Sequence, residues 1–118
     1  MAEISKEMEA KLVEFQQSQE QLQIVMAQKL QVKMQIDEID SALAALKSTS
    51  GKVFKSTGSI IVESDKDSLS KELEEKKDAF STRLQVLARH EEKIRKRLLE
   101  LKKELETASG NAPTNAGG

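Results

Sequence analysis

Few side chains in this sequence have the type and spacing that chemistry needs. His90 is the only histidine, and there is no cysteine. A metal site takes three or four ligands, drawn largely from His, Cys and carboxylates. With no second His or Cys to complete one, His90 beside Glu91 reads as a solvated surface residue. The carboxylates Glu72, Glu74, Glu75 and Asp78 crowd together. Acid–base catalysis needs such groups held in a pocket, and no pocket-forming segment surrounds them. Gly58 lacks the further glycines and lysine that cradle a phosphate. Residues 83–103 carry eight Lys and Arg against three Glu. No aromatic residue is interleaved for base stacking, and a helix dipole favours cations in its far half. These residues exclude an enzyme, a metal centre and a cofactor site, and they argue against a nucleic-acid surface.

The elements that must carry them are simple. The chain has 118 residues, a third of them charged, with a formal net charge of −1 and 3% aromatic residues. That allows one domain with little globular core. No apolar run is long enough to span a membrane, and Met1–Lys11 has no signal-peptide core. A cytoplasmic location is expected. The glycines stand at 51, 58, 110, 117 and 118 and the proline at 113, so residues 1–50 and 59–109 hold no strong helix breaker.

Residues 5–47 show a heptad. One row is Met8, Phe15, Leu22, Lys29, Ile36 and Leu43. The other is Ile4, Lys11, Ser18, Val25, Val32, Ile39 and Leu46. This is coiled-coil patterning, on a helix of roughly 65 Å. Residues 67–107 repeat it with Leu73, Phe80, Leu87, Ile94 and Leu101, and with Ser70, Lys77, Leu84, Glu91, Leu98 and Leu105. Asp67 or Ser68 is the expected N-cap. One antiparallel register matches both pairs of rows: Leu43 with Leu73, Ile36 with Phe80, Leu22 with Ile94, Phe15 with Leu101, Val32 with Leu84 and Lys11 with Leu105. It sets each polar row residue against an apolar one, Lys77 against Ile39 among them. A lysine so placed lays its stem on the seam and keeps its ammonium wet. Eight Gln between residues 16 and 35 then form a neutral, solvated helix face.

The connector, residues 48–66, reads as a β-hairpin over residues 52–64. Val53-Phe54 and Ile60-Ile61-Val62 are apolar runs of strand-forming residues, broken by Ser-Thr-Gly. Side chains alternate along a strand, so both faces of this ribbon are apolar. A lone hairpin is marginal in water, and its edges recruit other strands. Hairpins of several chains joined in a sheet or barrel satisfy both conditions. Val53, Phe54, Ile60, Ile61 and Val62 are the expected oligomerisation residues. Residues 109–118 read as a disordered tail.

The fold class is therefore mainly α, a long antiparallel two-helix coiled coil with a β-hairpin at the connection, in a single domain over residues 1–108. This arrangement resembles the prefoldin family, and within it the archaeal beta class. The resemblance rests on the Gln-rich Phe15-Gln16-Gln17-Ser18-Gln19, the hairpin Val53–Val62 and Lys66-Asp67-Ser68-Leu69. It covers residues 5–107. Phe54 stands where that family commonly has Tyr. The resemblance implies a hexamer of two alpha and four beta chains, hairpins in a β-barrel platform, and arms projecting from it. It also implies an ATP-independent chaperone that holds unfolded polypeptides and passes them to a group II chaperonin. Client contacts would lie at the arm tip, here Ile4, Met8, Leu12 and Phe15 with Leu98, Leu101 and Leu105. Leu12 is the sharpest clue, because it lies off both heptad rows. The competing reading is a structural coiled-coil adaptor that uses the hairpin only to oligomerise.

Overall fold

The structure, a computed structural model, describes residues 5–108. Ile4 and the predicted tail, residues 109–118, lie outside the described residues. Helix α1 spans Lys6–Ser48, strand β1 Val53–Thr57, strand β2 Ile60–Ser64 and helix α2 Lys66–Ala108. The chain divides into two compact units. The terminal unit joins α1 up to Gln28 with α2 from Leu87; the hairpin unit is Lys29–Val86.

Local chemistry sets the helix ends. Ser5 caps α1: its Oγ accepts from the Met8 N–H at 3.0 Å, one of the donors that a helix start leaves unpaired. At the other end Thr49 Oγ1 donates to the Ala45 carbonyl at 2.7 Å. Lys66 Nζ donates to the carbonyls of Lys47 and Thr49 at 3.3 and 3.2 Å. A cation there meets both the free carbonyls and the negative end of the dipole. Gly51, at φ +117°, then turns the chain out of the helix.

The cap of α2 differs from the sequence expectation. It is Asp65, not Asp67 or Ser68: Asp65 Oδ1 accepts from the Ser68 N–H at 2.8 Å, and its carbonyl accepts from Leu69 N at 3.0 Å. All three residues are favoured cap types, so composition could not rank them. The bonds to Ser68 hold the Asp65 carboxyl below its ordinary value. The helix therefore starts earlier, which leaves Lys66 free to reach back to α1.

In the hairpin unit β1 and β2 pair antiparallel, with Thr57 opposite Ile60. The two-residue turn Gly58-Ser59 has Gly58 at φ +61° and no positive φ at Ser59, which suits a type II′ turn with glycine first. Lys55 Nζ on β1 bonds Glu72 Oε1 on α2, tying the ribbon to the helix. That contact, led by its hydrogen bond, holds the Glu72 carboxyl low. Val32, Ile39 and Leu46 are buried along α1. Lys77, whose predicted register partner is Ile39, sends its ammonium to Asp40 Oδ1 at 2.6 Å. The stem stays on the seam and the charge stays wet.

In the terminal unit the segments again run antiparallel, since Lys11 meets Glu104 while Met26 meets Arg95. Ser18 and Val25 of α1 and Leu87, Ile94 and Leu101 of α2 are buried. Met8, Phe15 and Leu22 are only half-buried, as are Leu98 and Leu105. The two heptad rows of each helix are thus unequal. With one partner helix, one row points into the seam and the other lies on its edge. Each fully buried aliphatic side chain contributes about 1.5–3 kcal/mol, so the buried row holds the pair together.

Candidate functional site

The predicted binding residues are brought onto one unit, with different exposures. Within it the Lys11–Glu104 and Glu14–Arg97 contacts set Met8, Leu12 and Phe15 alongside Leu98, Leu101 and Leu105. Leu12 is exposed, at 38%. Met8, Phe15, Leu98 and Leu105 are half-buried. Leu101 is 0% exposed, so it packs in the seam and reaches a ligand only if the helix ends part.

Sequence reasoning missed further exposed apolar residues. Val13, Ile24, Met26 and Leu99 are also exposed in the terminal unit, and Leu30, Met34 and Val86 in the hairpin unit. The signal that finds them is the one that marked Leu12: apolar type at a position outside both heptad rows. Helix α2 has a clear apolar face, whereas α1 carries apolar residues all round. A helix apolar on every side is normally buried. Here it is held by a single partner.

The two flanks of the terminal unit differ in chemistry. On one, Arg97 donates from Nε to Glu14 Oε2 at 2.6 Å and from Nη2 to Glu14 Oε1 at 2.8 Å. Arg97 Nη1 also donates to Glu100 at 3.1 Å. This two-pronged bond is the strong form of the Arg–carboxylate pair. It lowers the Glu14 carboxyl and raises the Arg97 guanidinium from their ordinary values. Lys11 and Glu104 add a looser contact at 3.8 Å. Ion pairs therefore close this flank.

The other flank is open. Met8, Leu12, Phe15, Leu22 and Met26 recur along α1 at steps of three, four and seven residues, which places them on one side of the helix. Arg95 of α2 donates from Nε to Glu91 at 2.8 Å, and its Nη2 lies 3.5 Å from Met26 Sδ. An unbranched thioether adapts its shape readily, and an exposed leucine adds plain apolar area. Such a surface has no chemistry for turnover; it can hold other apolar groups.

The hairpin carries the second candidate surface. In its register Phe54 pairs with Glu63 and Ser56 with Ile61, while Lys55 pairs with Val62. Directly opposed residues share a face, so Phe54 and Ile61 lie on one side and Val53, Ile60 and Val62 on the other. Both faces are apolar. Val53 is buried within its own chain, whereas Phe54, Ile60, Ile61 and Val62 are exposed, Ile61 at 72%. Among the described residues no group of His, Cys, Asp and Glu could hold a metal ion, and no helix is long and apolar enough to cross a membrane.

Comparison with known proteins bears on both surfaces. The sequence model of the family described as prefoldin subunit matches residues 9–112. The chain is 34% identical over 108 residues to the prefoldin subunit beta of Archaeoglobus fulgidus, covering 90% of this chain and 93% of that one. It is 36% identical over 110 residues to the prefoldin subunit beta of Thermococcus onnurineus, covering 92% and 95%. The crystal structure of the prefoldin beta subunit from Thermococcus strain KS-1 superposes with a TM-score of 0.84 at 34% identity, covering 92% of this chain and 96% of that one. Two long helices joined by an antiparallel hairpin, and this likeness along nearly the whole length, show that the chain belongs to the prefoldin family, among its beta subunits.

Proposed function

We propose that the chain is a subunit of an ATP-independent holdase that captures unfolded polypeptides on apolar surface near its helix ends and delivers them to a group II chaperonin. The observation that carries this reading is the apolar surface that the helix seam leaves uncovered, exposed Leu12 beside half-buried Met8 and Phe15, with exposed Met26 about 21 Å further along α1. Monomeric soluble proteins rarely leave such patches without a partner. Leu98 and Leu105 extend the surface, Leu101 joins it when the helix ends fray, and Ile4, outside the described residues, is a further client contact in this reading. A hexamer with two alpha subunits, four beta chains and a shared β-barrel gives the exposed Phe54, Ile60, Ile61 and Val62 a place to be buried, with Val53 bracing the ribbon from within. Several such surfaces in one assembly would hold a client by avidity. The chain works in the cytoplasm in this reading.

The test is light scattering from a chemically unfolded protein diluted into buffer without nucleotide. The full chain, assembled with its alpha partner, suppresses aggregation, and removal of residues 1–9 weakens the suppression while native mass spectrometry still finds the hexamer. An assembly that never suppresses aggregation sinks the holdase reading. Undiminished suppression after truncation sinks the placement at the helix ends. A second step adds a group II chaperonin and follows transfer of a labelled client.

A further inference from the structure

Resting on the holdase reading, we propose that the open flank of α1 in the terminal unit takes unfolded segments by their peptide groups as well as by their apolar side chains. The flank alternates two chemistries. Leu12, Phe15, Leu22 and Met26 supply apolar area, and Gln16, Gln19 and Gln23 lie between them with their amides exposed. From Leu12 to Gln28 the only charged residues of α1 are Glu14 and Glu20, and Arg95 of α2, which reaches Met26, is paired with Glu91. Glu14 is engaged by Arg97 on the closed flank, and Glu20 lies on the outer face beyond the glutamines.

A primary amide offers two donors and one acceptor with no net charge. A peptide unit has one N–H donor and one C=O acceptor, so a row of glutamines can bond a backbone whatever its side chains are. In a folded protein nearly every buried backbone group is already paired, and apolar side chains are turned inward. An unfolded segment offers free N–H and C=O groups next to bare apolar side chains along its whole length, whereas a folded protein offers them only at a sheet edge. A carboxylate or ammonium in this row would select clients by charge and carry a desolvation penalty. Glutamine avoids both.

The occupant is thus an extended, apolar, unfolded segment rather than a second copy of the chain. A helix from another copy has its backbone bonds satisfied internally, and a helix–helix seam calls for apolar residues at its core positions. This flank inserts amides among them.

Two labelled peptides of the same alternating apolar and serine sequence serve as probes. One has ordinary peptide bonds, and the other is N-methylated at alternate residues, which removes backbone donors and keeps the side chains. Fluorescence anisotropy with the full-length assembled protein should show the ordinary peptide binding about fivefold tighter, the effect of about one net hydrogen bond. That affinity should change less than about twofold between roughly 0.05 and 0.5 M salt, because the amides carry no charge and Arg95, which reaches this flank, is paired with Glu91. Changing Gln16, Gln19 and Gln23 together to Leu should bring the ratio of the two peptides to about one, with apolar binding kept. Changing Gln17, Gln21 and Gln28 to Leu, away from this flank, should leave the ratio alone.

Equal binding of both peptides by the unaltered protein, no binding of either, or a preserved ratio in the first variant overturns the proposal. So does a change in assembly mass in that variant, which would make the flank an interface between copies. The holdase reading is judged separately by aggregation suppression without nucleotide. Its survival alongside an unchanged peptide ratio removes only the role given to the glutamines.

Discussion

Glu14 of α1 and Arg97 of α2 are joined by two hydrogen bonds of 2.6 and 2.8 Å, and the next residue along, Phe15, is half-buried on the other side of the buried row that holds Ser18 and Val25. This adjacency divides the terminal unit by chemistry. The ion pair fixes the helices on one flank, and the apolar side chains stay available on the other.

The pair predicts an acid limit to stability. Hydrogen bonding to Arg97 holds the Glu14 carboxyl below its ordinary value of 4.5, and Lys55 does the same for Glu72. A carboxyl lowered by folding contributes stability that is fully present above its unfolded value. That contribution is lost as pH falls through the folded one. The thermal midpoint should therefore fall as pH drops below about 4.5. Glu14→Gln should flatten this limb and leave the midpoint near neutrality only slightly lower, because exposed pairs contribute little. Thermal melts across pH 3–7 check it; an acid limb that is unchanged in Glu14→Gln argues against this assignment.

The position of the α2 cap is open to a paired substitution. Asp65→Ala should lower the thermal midpoint and fray the first turn, because it removes the acceptor for the Ser68 N–H. Asp67→Ala should do much less. Hydrogen exchange at Ser68 and Leu69 reads the effect directly, and equal effects from the two changes would return the cap to Asp67.

Burial distinguishes two neighbouring leucines of α2. Leu101 is 0% exposed and Leu99 is 54% exposed. Leu101→Ala should cost about 2–5 kcal/mol by leaving a cavity in the seam. Leu99→Ala should stay within about 0.5 kcal/mol. Denaturant unfolding of the assembled protein measures both, and similar costs would mean the seam is rotated from the described packing.

The hairpin should control assembly. Ile61→Asp puts a charge on the most exposed apolar position of the ribbon and should release helical chains that no longer form the proposed hexamer. Native mass spectrometry gives the answer; an intact hexamer would refute burial of this face between chains. Gly58→Ala should cost about 1–2 kcal/mol, since φ +61° is a left-handed conformation that disfavours a Cβ.

Much of the fold is written into residue order. Gly and Pro kept out of two long stretches, heptads in each, and β-branched runs around Thr57-Gly58 determine helix, hairpin and helix, because these signals act over a few residues. The antiparallel pairing is legible too: the register that sets Lys77 against Ile39 leaves its ammonium within reach of Asp40, where the structure has it.

Other features needed the third dimension. A heptad marks two rows as apolar without saying which one faces the partner, so the burial of Val25 and Leu101 against the half-exposure of Leu22 and Leu98 came only from packing. Three cap-forming residues within four positions, Asp65, Asp67 and Ser68, could not be ranked until a donor chose Asp65. Which side of α1 the ion pairs close, and which they leave to Leu12 and Met26, depends on where Arg97 and Arg95 arrive from α2. That is a long-range relationship, set by the seam, and no local pattern in either helix contains it.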